Sequence, residues 1–191
     1  MFKPIITSLL LFVSFSLFSQ KFIIDPGHTA ITSKVERFGM VDVLGRFNKI
    51  QGSITYDSHD LTKLSTQITI KTASYVNNNI GGEEAVKSGA FLDVTNFPEI
   101  IFNSTQVQLQ GGDLPVTGDL TIHGVTKEVT FPFSFLKPFK DPTRVNTIAI
   151  SASRTINRQD FGIKFNRKVP NGKEFIGNEV RIELNVLAVE E

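Results

Sequence analysis

The three histidines are the side chains of this sequence best suited to catalysis or metal binding near neutral pH. His28, His59 and His123 are widely spaced, and each lies beside glycine, aspartate or serine in a turn-like segment. No pair has the spacing of metal ligands. We therefore interpret all three as surface histidines and predict no metal site.

Other reactive groups are equally scattered. The carboxylates of Asp93, Asp119 and Asp160 fall on different predicted elements, so the sequence does not pair them for acid–base chemistry. Neither a G-x-S-x-G motif, a phosphate-binding loop nor a dinucleotide-binding fingerprint is present. Cysteine is absent, which excludes disulfides, thiolate zinc sites, thiol nucleophiles and cysteine-linked lipid anchors. These observations predict no catalytic residue and no cofactor.

One polar cluster, residues 154–162 (RTINRQDFG), has two interpretations. In the first, Arg158 forms an ion pair with Asp160 that stabilises a turn. In the second, Arg158 lies at the rim of a barrel and its guanidinium meets the head group of an amphiphile, because arginine offers a rigid fork of donors. The tail of that amphiphile would then run inward past Phe161.

Apolar and polar residues alternate along most of the chain, which predicts an all-β protein. Residues 116–122 and 129–135 form the clearest hairpin, and the second strand carries a row of three aromatic rings on one face, at Phe131, Phe133 and Phe135. Such a row is typical both of an ordinary core and of a ligand cavity. After a short strand at 22–25 we predict eight strands, at residues 29–38, 45–57, 64–72, 100–109, 114–122, 126–136, 146–157 and 178–189.

Two segments depart from this alternation. Residues 77–82 (NNNIGG) predict a loop, and residues 83–88 predict a short helix with acidic residues at its start, where the helix dipole favours them. Gly89 is a suitable end for this helix, which we expect to cap one end of a barrel. Pro132 lies inside a strand pattern, so that strand is expected to be at an edge or to carry a bulge.

The N-terminus predicts export from the cytoplasm. Lys3 precedes an apolar run over residues 5–18, which is shorter than the roughly 20 residues that span a membrane. This pattern is typical of a secretory signal peptide over residues 1–20, although a buried first strand or helix is the alternative. We therefore expect one domain over residues 21–191 in a periplasmic or secreted protein. Without Lys3, 19 basic residues face 19 acidic ones, which argues against nucleic-acid binding.

Four blocks of this sequence together resemble the YceI-like family of secreted, polyisoprenoid-binding lipid carriers. They are residues 24–31 (IDPGHTAI), 87–100 (KSGAFLDVTNFPEI), 118–127 (GDLTIHGVTK) and 156–162 (INRQDFG). Their order and spacing cover almost all of the predicted domain. The chain departs from the family pattern at Phe22, where relatives usually carry tryptophan, and around Gly82 and Ala85, where they usually carry Arg-Asp and His-Leu.

The resemblance implies an eight-stranded antiparallel, lipocalin-like β-barrel with a short helical cap, an apolar tunnel and no catalysis. It implies a long-chain isoprenoid or quinone-like lipid as the bound molecule, its tail held in the tunnel. Phe38, Phe91 and Phe97 are expected to close one end. The expected tunnel lining comprises Phe47, Ile54, Ile68, Ile70, Leu120, Ile122, Phe131, Phe133, Phe135, Ile148 and Ile150, with Arg158 and Phe161 toward the head group.

We therefore predict a carrier or sequestering protein for such a lipid, which is not an enzyme. Two alternatives remain from the sequence: an interaction or adhesion β-domain with a filled core, and an enzyme acting on an isoprenoid through Asp160, Arg158 or His28. The predicted partners are a long-chain lipid and, transiently, a membrane or lipid donor, and no nucleic acid. Lysines such as Lys63 and Lys127 discourage edge pairing, and both a monomer and a homodimer are compatible with the sequence.

Overall fold

The computed structural model describes residues 19–110, 114–143 and 145–191. All but the last two residues of the predicted signal peptide lie outside the described residues, so the leader stays a prediction. The described chain contains eleven strands and one α-helix, α1 (Ile80–Lys87). The strands are β1 (Ser19–Ile24), β2 (Ala30–Arg37), β3 (Val41–Phe47), β4 (Ile50–Asp57), β5 (Ser65–Lys71), β6 (Tyr75–Val76), β7 (Glu99–Val107), β8 (Leu114–Ile122), β9 (Val125–Lys140), β10 (Asn146–Asn157) and β11 (Ile176–Glu190).

These strands close into a ring. Antiparallel pairing runs in the order β1-β4-β5-β7-β8-β9-β10-β11, and β11 pairs back onto β1. Toward the other end of the barrel, β2 pairs with β11 and β3, and β3 pairs with β6. Closure leaves few free backbone groups at strand edges. The fold is therefore the predicted eight-stranded antiparallel barrel with one short helix.

One of the predicted strands is interrupted in the structure, and the predicted break between two others is present. The predicted strands at 22–25 and 29–38 correspond to β1 and β2, separated by a turn in which Asp25 accepts a hydrogen bond from the backbone N–H of Gly27 at 2.8 Å and contacts His28 Nδ1 at 2.7 Å. The pKa of Asp25 is lowered, chiefly by the His28 hydrogen bond. The predicted strand at 45–57 is divided into β3 and β4 at residues 48–49. The two parts have different partners, because β3 pairs with β2 and β6 and β4 pairs with β1 and β5.

Two turns between adjacent strands have two consecutive residues with left-handed backbone. His123 and Gly124 join β8 to β9 with φ of 51° and 74°, as expected for the tightest hairpin turns. A side chain at Gly124 would lie 2.5 Å from the ring of Phe97, so glycine also makes room for that ring. Phe38 and Gly39 join β2 to β3 with φ of 61° and 67°.

Pro132 lies inside β9, which is an internal strand and not an edge. It stands opposite Pro115 of β8, while the ladder from β9 to β10 begins beyond it, with the pair Ser134 and Ser151. The missing N–H of Pro132 therefore falls where β9 makes no ladder bond to β10. The bulge in that ladder lies farther along, between Thr147 and Ala149.

One half of the barrel is filled by side chains. Phe22 stands opposite Ile54, Ile150 opposite Phe135, and Leu114 opposite Phe133. The most deeply buried large side chains here include Phe22, Ile54, Val116 and Ile148. This packed half supplies the hydrophobic core that closes one end, and the opposite half contains a cavity.

Candidate functional site

A cavity of about 430 Å³ occupies the end of the barrel where β2 and β10 finish and β7 and β11 begin. Its size lies within the range of about 300–1,000 Å³ found for small-molecule sites. Its walls are inward-facing apolar side chains from six strands, namely Val35, Val43, Phe47, Ile100, Ile122, Ile156, Val180 and Ile182. A smaller cavity of about 60 Å³ shares Phe47, Ile100, Ile122 and Ile182 with it and continues toward the packed half.

The cavity is covered by α1 and the segment that follows it. Gly81, Gly82, Ala85 and Val86 of the helix contribute to the lining, together with Phe91 and Leu92. Asn79 caps the helix, because its side-chain oxygen accepts the backbone N–H of Gly82 at 2.7 Å. The ring of Phe91 packs on that of Phe165 with centroids 4.8 Å apart. The predicted capping helix is thus confirmed, beginning three residues earlier than the sequence pattern indicates.

Polar groups line one side of the cavity at Ser33, Tyr75, Asn77 and Asn79. Tyr75 packs against β3 at Gly45, where a side chain would lie 2.2 Å from the tyrosine hydroxyl. Burial raises the pKa of Tyr75, and hydrogen bonding to Ser33 and Asn77 acts in the opposite direction. The neutral hydroxyl therefore serves as a fixed dipole within a mainly apolar wall.

Arg158 lines the cavity, but it is buried below the rim and is only 4% exposed. Its Nε donates to the carbonyl of Gly177 at 3.0 Å, and its Nη1 donates to the carbonyl of Ile163 at 2.7 Å. Its Nη2 donates to Phe165 O and to Asn178 Oδ1, at 2.7 and 2.8 Å. Burial lowers the pKa of Arg158, and the charge of Glu174 opposes this shift. The guanidinium thereby ties the end of β10 to the start of β11.

The predicted ion pair of Arg158 with Asp160 is wrong. No such pair forms among the described residues, where Asp160 is exposed in a 3₁₀ turn that ends at Gly162. The head-group interpretation of Arg158 also loses its basis, because most of its donors are already bound to protein oxygens. Arg158 and Asp160 are two residues apart in the sequence, but in the 3₁₀ turn over Arg158–Phe161 the arginine is buried and the aspartate is exposed.

A second arginine, Arg37, also lines the cavity. It is the last residue of β2 and is partly exposed at the rim. Its guanidinium carbon lies 4.5 Å from the ring centroid of Phe38 and 5.5 Å from that of Phe175. We did not predict this residue from the sequence, although the alternation of Ile31, Ser33 and Val35 on one face of the strand extends directly to it.

The structure divides the predicted site residues into three groups. Those that line the main cavity are Phe47, Phe91, Ile122, Arg158 and Phe161, and those that line only the smaller one are Ile68, Ile70, Leu120 and Phe131. The other residues predicted to line a tunnel line neither of these two cavities. Ile54, Phe133 and Ile148 belong to the packed half, while Phe135 and Ile150 border a groove formed by β9, β10 and β11.

The physical reason for this division is that strand alternation identifies the face of a residue but not its depth along the barrel. Phe38 and Phe97 lie at the cavity end without lining it. Phe38 packs edge-on against Phe175, and Phe97 packs on His123 with centroids 4.2 Å apart. Lining residues that the prediction missed include Val35, Val43, Phe175, Val180 and Ile182.

Within the described residues, no group of three or more histidine, aspartate or glutamate side chains could hold a metal ion. A search of the same residues finds no helix with the length and apolar character needed to span a membrane.

The geometry defines a closed antiparallel barrel with one covered apolar cavity, and the comparisons with known proteins place it in a family. The model of the YceI-like domain matches residues 22–188. A UPF0312 protein of Pseudomonas putida strain W619 is 38% identical over 138 residues, 72% of each chain. A UPF0312 protein of Pseudomonas aeruginosa strain LESB58 is 34% identical over 137 residues, again 72% of each chain. The chain therefore belongs to the YceI-like family.

Solved structures have the same fold. BcnA of Burkholderia cenocepacia superimposes with a TM-score of 0.75 at 22% identity, covering 86% of this chain and 99% of that one. A polyisoprenoid-binding domain from Saccharophagus degradans, implicated in plant cell wall breakdown, superimposes with a TM-score of 0.68 at 12% identity, covering 92% and 100%. At these identities the likeness concerns the fold.

Proposed function

We propose that this protein binds the apolar tail of an isoprenoid or quinone-like lipid in its cavity and carries or sequesters it without catalysing a reaction. The observation that carries this proposal is the cavity of about 430 Å³ with apolar walls from six strands. Each methylene that leaves water for such a cavity contributes about 0.8 kcal/mol. The polyisoprenoid-binding domain of the same fold supports the choice of ligand class.

The two alternative functions have less support. An adhesion domain with a filled core needs no cavity, and here only one half of the barrel is filled. For an enzyme, the groups named from the sequence are engaged elsewhere: Arg158 is bound to backbone oxygens, and His28 contacts Asp25 in the turn between β1 and β2. The exported location proposed for this carrier rests on the apolar run over residues 5–18.

The lipid is proposed to enter from a membrane at the covered end. Large apolar side chains surround this end, with Met40 79% and Ile80 80% exposed. Both lie close in the chain to residues that line the cavity, because Ile80 directly precedes Gly81 and Met40 lies three residues before Val43. Ile80→Asp should slow the transfer of a fluorescent prenyl lipid from phosphatidylcholine vesicles, whereas Leu109→Asp, beyond the far end of β7, should not. Equal rates for both variants would contradict entry at this rim.

The binding proposal is tested by organic extraction and mass spectrometry of exported protein, followed by titration with farnesol. Val35→Trp should fill the cavity from β2, whereas Gln67→Trp places the same ring on an exposed position of β5. We expect lipid in the wild type and in Gln67→Trp, and none in Val35→Trp. A wild-type protein that neither carries lipid nor binds farnesol would contradict the proposed function.

A further inference from the structure

The charged side chains that line the cavity are all positive. Its lining includes two arginines, Arg37 and Arg158, and contains no aspartate or glutamate among the described residues. A positively charged site that excludes carboxylates complements an anion and not a cation. The two arginines differ in how much of their hydrogen-bonding capacity remains for a ligand.

Arg158 has little capacity left, because its three nitrogens donate to Gly177, Ile163, Phe165 and Asn178. Arg37 is different. Within the described residues its guanidinium has ring contacts with Phe38 and Phe175 but no hydrogen bond and no ion pair. Its five N–H donors are therefore available. A planar guanidinium can present two parallel donors to a carboxylate or phosphate.

The two rings hold Arg37 at the rim. Phe175 lines the cavity, and Phe38 packs edge-on against it with centroids 4.9 Å apart. Phe38 occupies a left-handed backbone conformation, with φ of 61°, which a bulky side chain adopts only at a cost. The fold thus keeps an aromatic ring beneath the guanidinium at a position where glycine or asparagine would be less strained. Stacking leaves the edge of the guanidinium, which carries the donors, free to meet a ligand.

The inward face of β2 gives the length of the path from this rim. Arg37 and Val35 line the main cavity, Ser33 lines both cavities, and Ile31 lines the smaller, deeper one. Arg37 follows Ile31 by six residue steps along the strand, which corresponds to about 20 Å. An extended alkyl chain advances about 1.25 Å per carbon for bonds of about 1.5 Å. The path therefore suits one tail of roughly sixteen carbons.

We propose that Arg37 binds the anionic head group, a carboxylate or phosphate, of a single-tailed lipid whose tail fills the cavity. This inference rests on the proposed function and specifies the class of ligand. It separates an acidic lipid from a quinone or an alcohol with the same tail, because only the acidic head group has a charge to pair with Arg37.

Calorimetric titration with dodecanoate, dodecyl phosphate and dodecanol compares one tail with three head groups. We expect the wild type to bind both anions at least tenfold more tightly than dodecanol, which corresponds to about 1.4 kcal/mol. Arg37→Gln should reduce this preference to within about twofold and leave the affinity for dodecanol unchanged. Arg46→Gln, on an exposed position of β3 that does not line the cavity, should keep the full preference.

Arg37→Lys retains the charge without the planar fork, so an intermediate preference for the anions is expected. The comparison of the three ligands in the wild type tests the inference without any variant. Inorganic phosphate alone, at millimolar concentration, should neither bind nor displace dodecanoate. Displacement by inorganic phosphate would identify a free anion in place of a lipid head group and overturn the inference. Equal affinity of the wild type for dodecanol and dodecanoate would also overturn it while leaving lipid binding intact. No binding of any of the three would contradict the proposed function itself.

Discussion

Two arginines at the same cavity illustrate how far residue types alone can be interpreted. The sequence singled out Arg158, and the structure places it at the cavity wall, but as a buried donor to backbone oxygens. Residue type does not distinguish Arg37, because a single charged residue at the end of a strand is common. What distinguishes Arg37 is its contact with two rings, one of which, Phe175, comes from a distant part of the chain.

Arg158→Gln should destabilise the fold. Glutamine cannot reach the same set of carbonyl oxygens, and each charge-assisted hydrogen bond contributes about 1.5–3 kcal/mol. We expect the free energy of unfolding to fall by about 3 kcal/mol or more, measured by urea denaturation. Arg154→Gln, on an exposed position of the preceding strand β10, is the control and should change it by less than about 0.5 kcal/mol. A small effect at Arg158 with a large loss of lipid binding would instead favour the head-group role.

Phe133→Ala and Phe91→Ala should separate packing from binding. Phe133 is 2% exposed in the filled half and lines neither interior cavity, so its removal should cost about 3–5 kcal/mol without altering the bound lipid. Phe91 borders the main cavity and is only partly buried. Its removal should cost less stability and change the lipid content measured after extraction. Altered lipid in Phe133→Ala would restore that residue to the binding site.

At the scale of elements, α1, which covers the cavity, combines stabilising contacts with two residues that weaken a helix. Asn79 caps it, and Lys87 approaches Glu83 at 3.8 Å, yet its first turn contains two consecutive glycines. Glycine lowers helix stability by roughly 0.8–1 kcal/mol relative to alanine. The sequence predicted the helix from its acidic start, but it could not show that the glycines face the cavity, since this depends on how the helix packs over the barrel.

Gly81→Ala should stiffen this cover. A methyl group at Gly81 has only one neighbour, at 3.8 Å, so it fits without strain, and we expect the free energy of unfolding to rise by about 0.5–1 kcal/mol. Lipid release, followed by stopped-flow fluorescence with a labelled lipid, should become slower. Gly89→Ala, whose methyl would meet an atom only at 3.9 Å, is the matched control away from the cavity lining. An equal change of the release rate in both variants would argue against control of lipid release by α1.

At the scale of the whole molecule, most of the fold could be predicted from the sequence. Period-two alternation and short turns define each strand, and eight such strands suffice to close a barrel. What the sequence did not reveal is which end is filled. Phe131 and Phe133 face the same side of one strand, yet Phe133 lies in the packed half and Phe131 lines a cavity. Their difference arises from the stagger of the strands around the barrel, which is a property of the closed sheet.

The predicted signal peptide leads to a test of the exported protein. We expect N-terminal sequencing of exported material to begin at Gln20 or Lys21. Both residues are bound to the end of the chain: Gln20 donates to Glu190, the last residue of β11, at 2.8 Å, and Lys21 pairs with Glu191 at 2.7 Å. A protein retained in the membrane with Met1 intact would contradict this prediction.

The packed half of the barrel, described above as its core, also limits how far a ligand can enter. Phe102, Phe131 and Leu120 border the deepest part of the cavity, and beyond them the interior is occupied by side chains. The barrel should therefore accept a tail only up to a certain length. The free energy of binding should become more favourable by about 0.8 kcal/mol with each added methylene until the tail reaches these residues. Beyond that length the affinity should stay level, since further carbons must remain in water. Phe131→Leu would move that limit inward, so the plateau in a homologous series of lipids should shift to longer tails.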